Sequence, residues 1–235
     1  MTRPASVLIV GVGGLGSPVI DLLAASGVRR VTLVDDDRVE ESNLHRQTAY
    51  TERDIGRQKV ECAIERLADV APEIEVHGLS ARFVPSNALS LLEGHSVVVE
   101  GADNLATKFL VADASRIGGR PAIQAGAVRW NGWAMCATPE SACLRCLFED
   151  IPGDRVETCA EAGVVGPVVG VLGGLQSVLL ARTLRGERVG GELWHYQALE
   201  GGLRRTTVGK RPDCPLCAGE IRDLDPDRYS AACAA

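Results

Sequence analysis

An α/β protein, built on a mostly parallel sheet that finishes in antiparallel strands, is what three features of the chain predict. The first is SVLIVGVGGLG at residues 6–16, an apolar run that breaks into spaced glycines. The second is VTLVD at 31–35, a further buried-type strand after one helical stretch. Together they make a β-turn-α-β unit of about 30 residues, which requires parallel strands joined by a right-handed crossover. The third is the pair ELWHYQALE and LRRTTVG near the C-terminus, two strand-like runs separated by a Gly-Gly turn.

The elements follow in order. Leu15, Val19, Leu22 and Leu23 recur at helical spacing, and Gly27 closes the run. From Ile55 to Val70 the apolar positions Val60, Ala63, Ile64 and Leu67 predict a second helix, stopped by Pro72. IEVHGL (74–79), a helix near 86–93, SVVVEGA (96–102) and a helix from Leu105 to Ile117 continue the alternation to PAIQAGAV (121–128). Residues 6 to about 128 are therefore a Rossmann-like half. Beyond them GWAMCATP (132–139) reads as an antiparallel neighbour, followed by a cysteine-bearing loop and a long helix over 164–185. No repeat and no linker interrupts the chain, so 1–222 is expected to be a single domain whose second half, about 129–222, is antiparallel and cysteine-bearing. The last stretch, 223–235, ends SAACAA and reads as a disordered tail.

At 235 residues the chain can bury a sizeable core, and a net charge of −6 argues against a broad basic face for nucleic acid. MTRPAS runs straight into the first strand without the pattern of a signal sequence. The longest apolar stretch carries Gln176 and Ser177, and reads as a buried helix more than as a span. A cytoplasmic location, with no membrane and no nucleic-acid partner, is the expectation.

The glycines have separate physical tasks. Gly11 permits a tight turn, Gly13 lets backbone approach a phosphate, and Gly16 lets the helix pack closely on the strand. Asp35 closes the second strand, where a carboxylate accepts from ribose hydroxyls; Asp37 stands in the same LVDDD run. Dinucleotide and adenosine triphosphate both remain open at this point. The next stretch then collects Asn43, Arg46 and Gln47, with Lys59 soon after. Hydride transfer leaves a pyrophosphate unchanged and has no use for such a set, whereas attack on an α-phosphorus builds charge that positioned cations stabilise. The competing reading is that Arg46 and Lys59 are solvated surface charges. Asp103 and Asn104 follow the fourth strand at the edge where open α/β sheets bind ligands. There Asp103 can hold Mg²⁺ against phosphate oxygens, or simply cap the helix that begins near Leu105.

Cys143-x-x-Cys146 and Cys214-x-x-Cys217 each present two thiolates, and four sulfurs close the shell of a structural Zn²⁺. Redox dithiols are the alternative, without a thioredoxin-like context around either pair. Cys159 is unpaired by spacing; it would serve acyl transfer only with a lowered pKa. Cys62 and Cys136 sit at apolar positions, and His77, His95 and His195 have no ligand spacing.

In this order GVGGLG (11–16), LVDDD (33–37), SNLHRQ (42–47), IGRQKV (55–60), GADN (101–104), CLRC (143–146), TCAEAGVVGP (158–167) and CPLC (214–217) resemble the ThiF/MoeB/HesA adenylyltransferases, relatives of ubiquitin-activating enzymes. The resemblance spans residues 6 to about 218. It implies that Gly14 and Asp35 contact ATP and that Ser42 to Arg46 line its phosphates. Asn43 and Arg46 would orient the triphosphate, Lys59 would neutralise the α-phosphate, and Asp103 would bind magnesium. The implied partner is a small ubiquitin-like sulfur-carrier protein ending Gly-Gly, whose C-terminal carboxylate becomes an acyl-adenylate with release of pyrophosphate. A homodimer is implied as well. In some relatives a cysteine at the place of Cys159 captures the activated carrier; in others it is dispensable. Relatives usually carry a helix ahead of the first strand with an arginine that reaches the partner subunit's site, where this chain has five residues including Arg3. No rhodanese-like extension follows Cys217, so a sulfur donor would be a separate protein. Adenylation of a peptide or small acid, a nucleotide-binding scaffold without turnover, and a nicotinamide-dependent oxidoreductase are the alternatives.

Overall fold

A computed structural model describes residues 5–151 and 163–232. Its framework is one eight-stranded sheet of order β3-β2-β1-β4-β5-β6-β7-β8. The strands are β1 (Ser6–Val10), β2 (Arg30–Val34), β3 (Glu75–Leu79), β4 (Val97–Glu100), β5 (Ala122–Val128), β6 (Asn131–Ala137), β7 (Glu192–Gln197) and β8 (Gly202–Thr207). The first five are parallel to one another, and the pairs β5–β6, β6–β7 and β7–β8 are antiparallel. The expected division into a parallel and an antiparallel half is therefore a division within one continuous sheet.

Strand β1 shows why the first run is apolar at every position from Val7 to Val10. Val7 and Ile9 face a core formed with α1 (Gly16–Leu22), α2 (Lys59–Val70) and the long α6 (Gly166–Leu184). Leu8 and Val10 face a second core with α3 (Pro85–Leu92) and α4 (Leu105–Ile117). Successive side chains of a strand point to opposite faces, so a strand covered on both sides needs apolar residues throughout. Helix α6 fills the first core through Val168, Val169, Leu172, Leu179 and Leu180, and buries Gln176 and Ser177 as well.

Two expectations need correction. The helix expected from Ile55 begins at Lys59. Gly56 has a φ of 86°, and Gln58 is extended with ψ 131°, so the chain reverses before the helix can start. The preceding Glu52–Asp54 is a 3₁₀ turn in which the Asp54 carboxylate accepts from the Thr51 N–H at 2.8 Å. The other correction concerns the C-terminus. Pro226–Ala232 form a 3₁₀ helix rather than a disordered tail, and Tyr229 is buried in the second core.

Chemistry ties that segment down. The Tyr229 hydroxyl donates to Asp113 Oδ2 at 2.8 Å, and the same carboxylate of α4 accepts from Arg145 Nε and Nη2 at 2.8 and 2.9 Å. Arg145 lies on α5 (Leu144–Phe148) between the first pair of spaced cysteines, and its guanidinium also stands 4.9 Å over the Phe109 ring. Tyr229→Ala is therefore expected to lower stability by about 3 kcal/mol, the order found for truncating a buried aromatic side chain. Chemical denaturation checks this, since a free tail would leave the midpoint unchanged.

Candidate functional site

The site lies at the C-terminal ends of β2, β1 and β4, where the strand order turns back at β1 and β4 and an open α/β sheet leaves its ligand crevice. Gly11 leaves β1 at a φ of 87°, and its N–H donates to Val34 O at 2.8 Å. A Cβ there would come within 2.7 Å of the Ala102 nitrogen, and one on Gly16 within 2.2 Å of Gly11 O. These two glycines are thus required by backbone packed on backbone. At Gly13 the nearest neighbour of a Cβ would be the Gln47 amide at 3.6 Å, so the loop there is open to the cleft. No side chain caps the start of α1; in its first turn the Ser17 N–H is taken by Gly13 O at 2.8 Å and Pro18 has no N–H, so the backbone that faces the cleft is that of Gly13 and Gly14.

Asp35 holds this loop from beneath. Its Oδ2 accepts from the Val12 N–H at 2.8 Å and its Oδ1 from the Asp37 N–H at 2.9 Å. Burial pushes its carboxyl pKa up, and Lys59 and the two backbone donors act against that shift. From the other side the Tyr50 hydroxyl donates to Val12 O at 2.8 Å.

The cations are inside the cleft. Lys59, the first residue of α2, lines it with its side chain only 6% exposed, so the reading of a solvated surface charge does not hold for it. Its ammonium contacts Asp37 Oδ2 at 2.7 Å. Arg46 lines the cleft half-buried; Nη2 donates to Asn43 Oδ1, and Nη1 to Ser42 O at 3.3 Å. Gln47 is buried on the same wall, and its Oε1 has no protein partner. Asp103 is exposed to the cleft.

Geometry thereby sorts the candidates. Gly11, Gly13, Gly14, Asp35 and Asp37 line one cleft with Arg46, Gln47, Lys59, Asp103 and Asn104. Gly16 lies behind the loop, and Ser42 and Asn43 stand outside the lining, each bonded to Glu40 Oε2. The capping role weighed for Asp103 falls to Asn104, whose Oδ1 accepts from the Thr107 N–H at 2.8 Å. Cys159 lies outside the described residues. Arg82 and Phe83 also line the cleft, unforeseen from the sequence. They follow β3, and the rule that drew attention to the residues after β4 would have found them there.

Away from the cleft, Cys143, Cys146, Cys214 and Cys217 converge. Their sulfurs lie 3.5–3.8 Å apart in the pairs 143–146, 143–214, 146–217 and 143–217. A tetrahedron of sulfurs about 2.3 Å from one Zn²⁺ has edges of about 3.8 Å, so the donor set fits that ion. Arg116 Nη2 donates to Cys217 Sγ at 3.0 Å and the Arg211 N–H to Cys146 Sγ at 3.5 Å, which suits thiolates.

Fold and cleft together define an α/β protein with a cleft at its topological switch point, where cations gather beside a glycine-rich loop. The ThiF family profile matches residues 2–216. The chain is 39% identical over 240 residues to the sulfur carrier protein adenylyltransferase of Thermus thermophilus, covering 98% of this chain and 89% of that protein. It is 35% identical over 232 residues to the SAMP-activating enzyme E1 of Haloferax volcanii, covering 97% and 86%. Against the adenylyltransferase and sulfurtransferase MOCS3 of Bos taurus it is 38% identical and covers 97% of this chain, but spans about half, 51%, of that protein. Among solved structures, E. coli MccB superposes with a TM-score of 0.79 at 24% identity, covering 91% of this chain and 65% of MccB, a likeness of fold. The chain belongs to the ThiF family, and it is an adenylyltransferase.

Because Asp35 satisfies a buried backbone donor, Asp35→Ala is expected to cost about 1–3 kcal/mol even without nucleotide. Denaturation of the ligand-free variant measures this; a stability equal to the parent's would leave Asp35 with no part in holding the loop.

Proposed function

We propose that the protein adenylates the C-terminal Gly-Gly carboxylate of a small ubiquitin-like sulfur-carrier protein, using ATP. A carboxylate is a poor electrophile until one of its oxygens can depart as AMP. In this reading a carboxylate oxygen attacks the α-phosphorus, the bond from that phosphorus to the α,β-bridging oxygen breaks, and pyrophosphate leaves with the electron pair. An acyl-adenylate remains. The observation that carries the reading is the gathering of Arg46, Lys59 and Asp103 around one cleft above the Asp35 carboxylate. A nicotinamide site has no comparable use for that set.

Asp35 takes the ribose hydroxyls, and the open backbone at Gly13 and Gly14 takes the phosphates. Arg46 orients the triphosphate, with Asn43 bracing its guanidinium and Ser42 its other nitrogen. Lys59 leaves Asp37 to meet charge on the α-phosphate; Asp37 has 62% of its side chain exposed and can turn to water. Asp103 would hold Mg²⁺, which would neutralise charge on the phosphate oxygens and on the departing pyrophosphate. The nucleotide makes the substrate assignment testable through isotope exchange. The protein works as a homodimer in the cytoplasm. The choice of a sulfur-carrier protein as substrate draws support from relatives of 35–39% identity named for sulfur-carrier and SAMP activation.

Exchange of labelled pyrophosphate into ATP, run with and without a Gly-Gly carrier, tests the proposal. Exchange that requires the carrier is expected. No exchange under any condition would indicate a scaffold, and saturation by NAD in place of ATP would return the oxidoreductase. Asp103→Ala should lower exchange by about 100-fold or more with the fold intact.

For the four cysteines, metal analysis should find about one zinc per chain. Cys214→Ser should lose that zinc and melt at a lower temperature. A metal-free native protein of unchanged melting temperature would refute the assignment.

A further inference from the structure

Asp103 reaches the cleft on the short β4–α4 connection, and both it and Asn104 are exposed. Packing of these side chains therefore cannot fix the connection. Behind it lies a buried polar knot that the cleft does not touch. Glu100, the last residue of β4, is fully buried, and its Oε1 accepts from the Ala102 N–H at 2.6 Å. Lys108 of α4, 3% exposed, donates from Nζ to both Glu100 oxygens at 3.0 Å and also to Ala125 O on β5. Gln124 donates to Lys108 O at 2.8 Å, and Gln176 of α6 donates to Glu100 O at 2.7 Å.

The Ala102 N–H on the connection and the Lys108 ammonium on α4 are thus tied to one carboxylate, while Gln176 and Gln124 hold the main chain of Glu100 and Lys108. Glu100 grips the amide immediately before Asp103, while Lys108 locks that carboxylate to the helix on the other side. Gly101 fits the same arrangement, because a Cβ there would lie 2.8 Å from Gly11 O and 2.9 Å from the Gly16 nitrogen. A buried ion pair adds little net stability over an apolar pair of equal size, so stability does not account for it. Directional bonds to a loop amide do set a position.

We propose that Glu100 and Lys108 are positioning residues for Asp103: their ion pair, through the Ala102 N–H, holds the Asp103 carboxylate where it takes a divalent cation against the triphosphate. The inference rests on the reading of Asp103 given above. Neither residue lines the cleft, so neither touches the nucleotide itself.

Calorimetric binding of a non-cleavable ATP analogue and of AMP, each with and without Mg²⁺, tests it without turnover. Three variants are compared with the parent: Glu100→Gln, the apolar double variant Glu100→Leu with Lys108→Met, and Asp103→Asn. The double variant keeps the volume of the knot and leaves the Ala102 N–H without its acceptor. Both knot variants are expected to lose about tenfold or more of the Mg²⁺-dependent gain in analogue affinity, the size of effect seen when outer-shell partners of a metal ligand are removed. AMP affinity should stay within about twofold, because the AMP complex makes no call on that cation. Asp103→Asn should abolish the gain. A gain intact in Asp103→Asn would sink the cation assignment, whereas a gain lost there but intact in either folded knot variant would sink the positioning role. If neither knot variant folds, the pair is a folding element, and the proposal falls with it.

Discussion

The whole site depends on backbone packed against backbone where two loops meet. A Cβ on Gly16 would meet Gly11 O at 2.2 Å, and one on Gly101 would meet the same oxygen at 2.8 Å. With hydrogen in place of a side chain at all three positions, the loop after β1 and the loop after β4 close on each other directly. That contact brings Asp35, at the end of β2, and Asp103, beyond β4, to opposite walls of one cleft. Any larger residue at these points would push the loops apart and widen the cleft.

Around that contact the charges are arranged in advance. Lys59 is held by Asp37, and Arg46 by Asn43 and the Ser42 carbonyl, so each cation is fixed at the cleft by the protein's own groups. Preorganised donors of this kind stabilise developing charge without having to reorient during the reaction. The exposure of Asp37 matters here, since an exposed carboxylate gives up its ion pair at small cost.

Helix α4 joins the cleft to the cysteine cluster. Its start is capped by Asn104 beside Asp103; its later turns hold Arg145 through Asp113 and reach Cys217 through Arg116. The arginine inside the first cysteine pair is buried, with Asp113 and Asp150 as its ionic partners. Anchored in this way, the C-terminal segment carrying the second cysteine pair becomes part of the frame behind the nucleotide cleft.

Much of this was legible in the chain. The apolar runs 7–10 in β1 and 97–99 in β4 announce strands covered on both faces, and spaced glycines after the first are the pattern of a phosphate loop. Arg46, Lys59 and Asp103 stood out because their chemistry suits phosphoryl transfer and little else at those places. The late start of α2 was not legible: its periodic apolar positions extend the helical pattern, while a positive φ at Gly56 is a backbone choice that the neighbouring residues make. Nor was Tyr229, because a single aromatic in a polar stretch gains its burial only from Asp113 and the second core.

What the sequence determined by itself is the local grammar: which runs are strands, which residues stand at the carboxyl ends of those strands, and which cysteines share a metal-type spacing. Tertiary structure alone decided that Asn104, and not Asp103, caps α4, that Lys59 is buried on Asp37, and that Glu100 and Lys108 meet behind the cleft. The physical reason is range. Periodicity and capping act over a few residues, whereas ion pairing and burial depend on which distant segments the sheet order brings together.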